Sequence, residues 1–135
     1  MVKMTTTDRK RAAKVERARQ LHAELKAQQQ RVASDPDAAA QFAALQARLG
    51  RLSVHNVLLV LAQRPDASAV AGFRQWQKLG RQVRRGEHAI RIFGFSQVKV
   101  KPKAGEKVVP DAETPTRTVF PVLSVFDIAQ TDPIA

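Results

Sequence analysis

The stretch Gly86-Glu87-His88-Ala89-Ile90-Arg91-Ile92-Phe93-Gly94-Phe95-Ser96-Gln97-Val98-Lys99-Val100 is where the chain changes period. Ahead of it, apolar residues recur at helical steps of three and four; within it they alternate. Ile90, Ile92, Val98 and Val100 fall on one face of a strand. Arg91, Phe93, Phe95, Lys99 and Lys101 fall on the other, with Gly94 placed for a bulge. A second strand from about Arg117 to Phe126 returns antiparallel to the first. Pro102 to Thr116, between them, holds three prolines, a glycine and five charges and reads as a mobile hairpin loop. Gln82-Val83-Arg84 can add a third strand through a turn at Arg85-Gly86.

Upstream, the pattern is helical throughout. Val15, Ala18, Leu21, Leu25 and Val32 form a thin stripe on a helix from about Asp8 to Ala33, roughly 39 Å long. Its first two turns are rich in Arg and Lys and are expected to fray or act as an arm. Ser34-Asp35-Pro36-Asp37 carries the signals of a second start: Ser34 as cap, proline in the first turn, and acids at the positive end of the dipole. That helix buries Phe42, Leu45 and Leu49 and stops at Gly50. Ser53 caps a third helix from Val54 to about Gln63, apolar nearly all round and therefore central, which Pro65 ends. A short fourth helix from Gly72 to Leu79 carries Phe73, Trp76 and Leu79 at helical spacing, with Gly80 as its exit. Helices first and a small antiparallel sheet last make an α+β fold. The expected organisation is a basic arm at 1–11, one α+β domain at 12–132 that includes the loop at 102–116, and a tail at 133–135.

Length and composition bound the function. The 135 residues (14.9 kDa) suffice for one real core and not for two. A net charge of +11 is strain by self-repulsion unless an anionic partner relieves it. Residues 48–92 hold nine cations against Asp66 and Glu87, and residues 1–33 hold nine against three acids, whereas the remainder beyond residue 92 balances five against five. With no cysteine, disulfides and thiolate metal sites are excluded, and a cytoplasmic protein is expected. The N-terminal basic residues lack a following apolar run, so no secretion signal is expected, and Val57 to Ala62 is too short to span a membrane.

The cations converge between the fourth helix and the first strand. Arg74, Lys78, Arg81, Arg84, Arg85 and Arg91 lie within 18 residues and a single acid interrupts them, whereas an ordinary solvated surface mixes signs. Cations neutralise phosphates and flat side chains offer stacking faces, so the mixture suits a polyanion held without reading its sequence. Trp76 is either a stacking platform or the core anchor of the fourth helix. Phe93 and Phe95, in phase with Arg91 and Lys99, are either stacking rings or core. Asn56, a lone amide at the start of the most apolar helix, either satisfies backbone groups or reaches a ligand.

An enzyme is not supported. His22, His55 and His88 are scattered, no HExxH provides a zinc pair, and no GxSxG or Walker A loop occurs. No cofactor and no metal are expected. The rival readings are a protein-interaction domain built on the long N-terminal helix and a binder of double-stranded nucleic acid. Oligomeric state is not encoded in any pattern of the sequence.

Four segments together carry a family resemblance: Asn56-Val57-Leu58-Leu59-Val60-Leu61-Ala62-Gln63; Gly72-Phe73 with Trp76; Gly80-Arg81-Gln82-Val83-Arg84-Arg85-Gly86-Glu87; and Val125-Phe126-Asp127-Ile128-Ala129-Gln130-Thr131-Asp132. In order and rough spacing the chain resembles the ArdC-type N-terminal domain from about Asp8 to Asp132. The resemblance implies a single-stranded DNA-binding domain of the kind found in antirestriction and polyvalent proteins of plasmids and phages; RNA or duplex DNA is expected as a weaker partner. His88 stands where the family commonly has lysine, and Ser53-Val54-His55 precedes Asn56 where the family is more aromatic. Larger members add a metalloprotease-like domain after the Gln-Thr-Asp, which is expected to be absent here.

Overall fold

Thr5 and Asp8 close a reciprocal capping box, each side chain accepting from the other's backbone N–H, and start helix α1 (Thr6–Ser34). In the computed structural model, which describes residues 5–100 and 115–134, this start lies two residues ahead of the expected one, because Asp8 is the third residue of the helix and not its cap. Most of the expected loop at 102–116, the first four residues of the expected arm, Lys101 and Ala135 lie outside the described residues. The buried residues of α1 are Leu21, Leu25 and Gln28; from Thr6 to Gln20 none is buried.

Asp35 serves two helices. Its N–H donates to Arg31 O to end α1, and its carboxylate accepts from Asp37 N to start α2 (Pro36–Arg48). Ser34, expected as that cap, is instead the last residue of α1, its hydroxyl donating to Gln30 O. Helix α3 (Val54–Gln63) is capped by Ser53, and five consecutive residues, Val57 to Leu61, are buried. It packs against both α1 and α2 and forms the centre of the core with Leu21, Leu45 and Leu49.

The strands are β1 (Val70–Ala71), β2 (Arg81–Val83), β3 (Ile90–Phe93), β4 (Ser96–Lys99), β5 (Thr116–Val119), β6 (Val122–Asp127) and β7 (Thr131–Pro133). Helix α4 (Phe73–Lys78) lies between β1 and β2, and a 3-10 turn, Ile128–Gln130, precedes β7. All pairings are antiparallel: a sheet in the order β1-β6-β3, and the two-stranded pairs β2-β7 and β4-β5. The segment expected as a third strand beside β3 therefore pairs elsewhere, with β7, and β1 takes the third place.

Phe93 pairs with Val122 and Ser96 with Val119, so the hairpin keeps its register across an interruption of two residues on each side. Gly94 is thus no bulge, since no residue is inserted. Its N–H donates to Pro121 O at 2.7 Å. A Cβ at Gly94 would lie 2.6 Å from Leu123 Cδ1, so a larger residue here would require the half-exposed Leu123 side chain to turn aside. Beyond the interruption, β4 and β5 contribute nothing to the core: Val98 is 36% exposed and Val100 42%, although the alternation had put them on one face with buried Ile90 and Ile92.

One edge of β3 pairs with β6, and the other lies against α3. Asn56 Nδ2 donates to Phe93 O at 2.8 Å, and Phe93 N donates to Asn56 Oδ1 at 3.0 Å. One strand step away, Gln63 Nε2 donates to Arg91 O at 2.7 Å, and Arg91 N donates to Gln63 Oε1 at 2.8 Å. Two side-chain amides, seven residues apart on the helix, replace a neighbouring strand. Asn56→Leu keeps the bulk but strands one N–H and one C=O in a partly buried place. Urea unfolding followed by Trp76 emission should show a loss of about 1–3 kcal/mol. The Gln63→Leu variant should lose less, because water reaches Arg91 more readily.

Candidate nucleic-acid interface

The cations of the central block divide into those spent inside the fold and those left outward. Arg48 donates to Ala67 O at 2.9 Å and Pro65 O at 3.1 Å, tying α2 to the loop after α3. Arg64 lies 3.7 Å from Asp127. Arg81 Nε donates to Thr131 Oγ1 at 2.6 Å and its Nη2 to Thr131 O at 3.1 Å, clamping β2 to β7. Arg84 lies 3.1 Å from Asp132 and 3.3 Å from Glu87 and also donates to Ala129 O. The hydrogen bond to Asp132 is the chief reason its guanidinium is held protonated even beyond the usual arginine range. Arg51, Arg74, Lys78, Arg85 and Arg91 are exposed and have no side-chain partner among the described residues. The sequence reading omitted Arg51, which borders a groove beside Gln75 of α4 and Leu79, which follows it.

Trp76 is the anchor of α4. It is 4% exposed, and its indole N–H donates to Phe126 O at 2.8 Å, so the ring offers no open face for a base. The Asp127-Ile128-Ala129-Gln130-Thr131-Asp132 ending is likewise structural. Asp127, 2% exposed, accepts from Ser68 N, Ala69 N and Ala129 N at 2.9, 3.2 and 3.1 Å. Gln130, also 2% exposed, accepts from Asp127 N and donates to His88 O and Glu87. These two side chains hold the start of β1 and the turn after β2 against the end of β6.

Asn56 has both ends of its amide committed to Phe93, which decides between its two readings in favour of the backbone. Phe93 is half-buried against the core, its ring 4.4 Å from that of His22 on α1. Phe95 is 70% exposed and meets Phe120, 59% exposed, edge to face at 6.2 Å. These four rings, with Ser53 and His55 at the start of α3, surround a cleft of about 560 Å³. Lys99 lies exposed at the end of β4. Sequence reasoning missed His22, His55 and Phe120 as cleft residues. Only the register that puts Phe120 across from Phe95 reveals the last of them.

The candidates therefore do not form one cluster. Arg74, Lys78, Arg81, Arg84, Arg85 and Trp76 belong to the end of the sheet where Ala71 pairs with Phe126. Asn56, Phe93 and Phe95 belong to the end where Phe93 pairs with Val122. Four residue steps along β6 separate these pairings, roughly 14 Å at strand rise. Arg91 stands between them, next to Arg17 of α1 in a shallow depression. Among the described residues no three His, Cys, Asp or Glu side chains come together to hold a metal, and no helix is long and apolar enough to cross a membrane.

A family model described as the N-terminal domain of anti-restriction factor ArdC matches residues 11–126. Among solved structures, the chain is similar to the metal-free crystal structure of antirestriction ArdC protein from R388 plasmid, at 21% identity and a TM-score of 0.47. That similarity covers 60% of this chain and 29% of the other, so the chain spans less than a third of it. No curated protein matches the chain.

The division of the cations is open to measurement. Arg81→Ala and Arg84→Ala should each lower the melting temperature, because each removes a clamp on β7, whereas Arg74→Ala and Arg85→Ala should leave it unchanged. Asp127→Ala should cost about 3 kcal/mol or more in urea unfolding, since three backbone N–H groups lose their acceptor together.

Proposed function

We propose that this chain, which belongs to the family of N-terminal domains of anti-restriction factor ArdC, binds single-stranded DNA without regard to sequence, mainly through its phosphates. The observation that carries the reading is the set of exposed cations, Arg51, Arg74, Lys78, Arg85 and Arg91, whose side chains have no partner among the described residues, while Glu87, the acid of the β2 turn, is already engaged by Arg84 and Gln130. Unpaired cations release the counterions of a nucleic-acid backbone and supply affinity that falls with salt. The module acts by binding and positioning, in a context of defence against restriction. Trp76 and Asn56, engaged within the protein, make no contact with the strand, and Arg81 and Arg84 act chiefly by holding the surface in shape. Phe95 is the foremost stacking ring, with Phe93 behind it.

The cationic start of α1 adds to this surface. Thr6 to Gln20 carries Arg9, Lys10, Arg11, Lys14, Arg17 and Arg19, against Asp8 and Glu16, and buries nothing. As a docking helix for a protein partner it is poorly equipped, since its apolar side chains are three alanines and Val15. Duplex DNA is a weaker partner on this reading, because the exposed rings meet only bases that have left their stack.

Fluorescence anisotropy with labelled single strands and duplexes, over a range of salt, tests the proposal. Changing Arg74, Lys78, Arg85 and Arg91 to Ala should weaken binding to every sequence alike and reduce the log–log salt slope by about 0.7 per lost contact. Deleting residues 1–11 should lower affinity at low salt with the melting temperature nearly unchanged. Equal affinity for single and double strands, with an unchanged slope in the quadruple variant, would sink the reading.

A further inference from the structure

We infer that the cleft between α1, the start of α3 and the interrupted hairpin is a seat for one unstacked nucleobase, spatially apart from the cations of α4 and β2. The inference rests on the single-strand reading above. Two ring pairs frame the cleft: His22 with Phe93 at 4.4 Å, and Phe95 with Phe120 at 6.2 Å. Phe95 and Phe120 are 70% and 59% exposed although apolar rings of this size are ordinarily buried. The volume, about 560 Å³, falls within the range of sites for small organic ligands.

Charge complementarity identifies the occupant. His22 sits on α1 just after the cationic stretch that ends at Gln20, with Lys26 one turn further on. A polyanion lying along α1 is thereby led to the mouth of the cleft. Its flat, unstacked base is the group that two pairs of rings can sandwich, while its phosphates stay among the cations. The interruption at Gly94 creates the seat, because the unpaired steps of the hairpin hold Phe95 and Phe120.

The test uses the whole chain and a short oligothymidine with a central 2-aminopurine, a base whose emission is quenched on stacking. The inference expects quenching on binding. In the variant F95A/F120A, whose lost rings are exposed, quenching should disappear and affinity should fall about tenfold, with the salt slope preserved. Photocrosslinking of a 5-iodouracil oligomer to the unmodified protein, mapped by mass spectrometry, should label peptides from α1 or the hairpin around Phe95 and Phe120. Ordinary binding without quenching, unchanged quenching in the variant, or crosslinks confined to α4 and β2 would overturn the base seat and leave phosphate binding standing. Failure of the unmodified protein to bind any single strand would overturn both.

Discussion

Four backbone groups at the outer edge of β3 set the terms for the rest of this fold. An edge strand in contact with a helix has peptide groups that neither water nor a neighbouring strand fully satisfies. Asn56 and Gln63 answer that need from α3, each amide both accepting from and donating to a single strand residue. The arrangement fixes α3 against the sheet in rotation and in register at once. Since α3 is also the element on which α1 and α2 pack, the whole helical layer inherits its position from these contacts. They also close the edge to further strands, which leaves β3 with β6 as its one partner strand.

A second pin works at the far end of β6. Asp127 and Gln130 are buried polar side chains whose partners are mainly backbone groups brought from the start of β1 and the turn after β2. Such a network is favourable only when its members are satisfied together. Here it joins the start of β1 and the turn after β2 to the end of β6, while α4 between them is anchored by Trp76. Arg81 and Arg84 extend the same work to β7. An excess of positive charge in sequence is therefore not a direct count of contacts to a ligand: four of the nine central cations, Arg48, Arg64, Arg81 and Arg84, are occupied in holding the fold.

Local pattern made much of this legible before any coordinates. The apolar run of α3, the proline start of α2 and the switch from helical to alternating period are all encoded within a few residues of where they act, and the elements formed there. Trp76 could be weighed for the core because Phe73 and Leu79 share its helical spacing. The antiparallel return of the strand after Arg117 was legible too, but the partners of β2 and the cross-strand ring contacts were not. Nothing near Gln82 says that its partner is Asp132, and nothing near Phe95 names Phe120. Alternation alone also misjudged Val98 and Val100, because period marks a face and says nothing about whether a helix covers it. His22 was hidden for a related reason: its ring packs against Phe93 across 71 positions of sequence.

The amide that seals the sheet also bears on how the cleft would treat a base in the proposed seat. Asn56 borders the cleft, and a free asparagine there could read the edge of a base through two hydrogen bonds. Its carbonyl and its amide are both turned to Phe93, so that capacity is spent. Ser53, the neighbouring hydroxyl, already accepts from Asn56 N as the cap of α3. What the cleft still offers is ring surface and two exposed imidazoles, His22 and His55. Ring faces would receive any base. On the proposed reading, indifference to sequence would then follow from the fold, because the residue best equipped to discriminate bases is the one that the sheet edge cannot release.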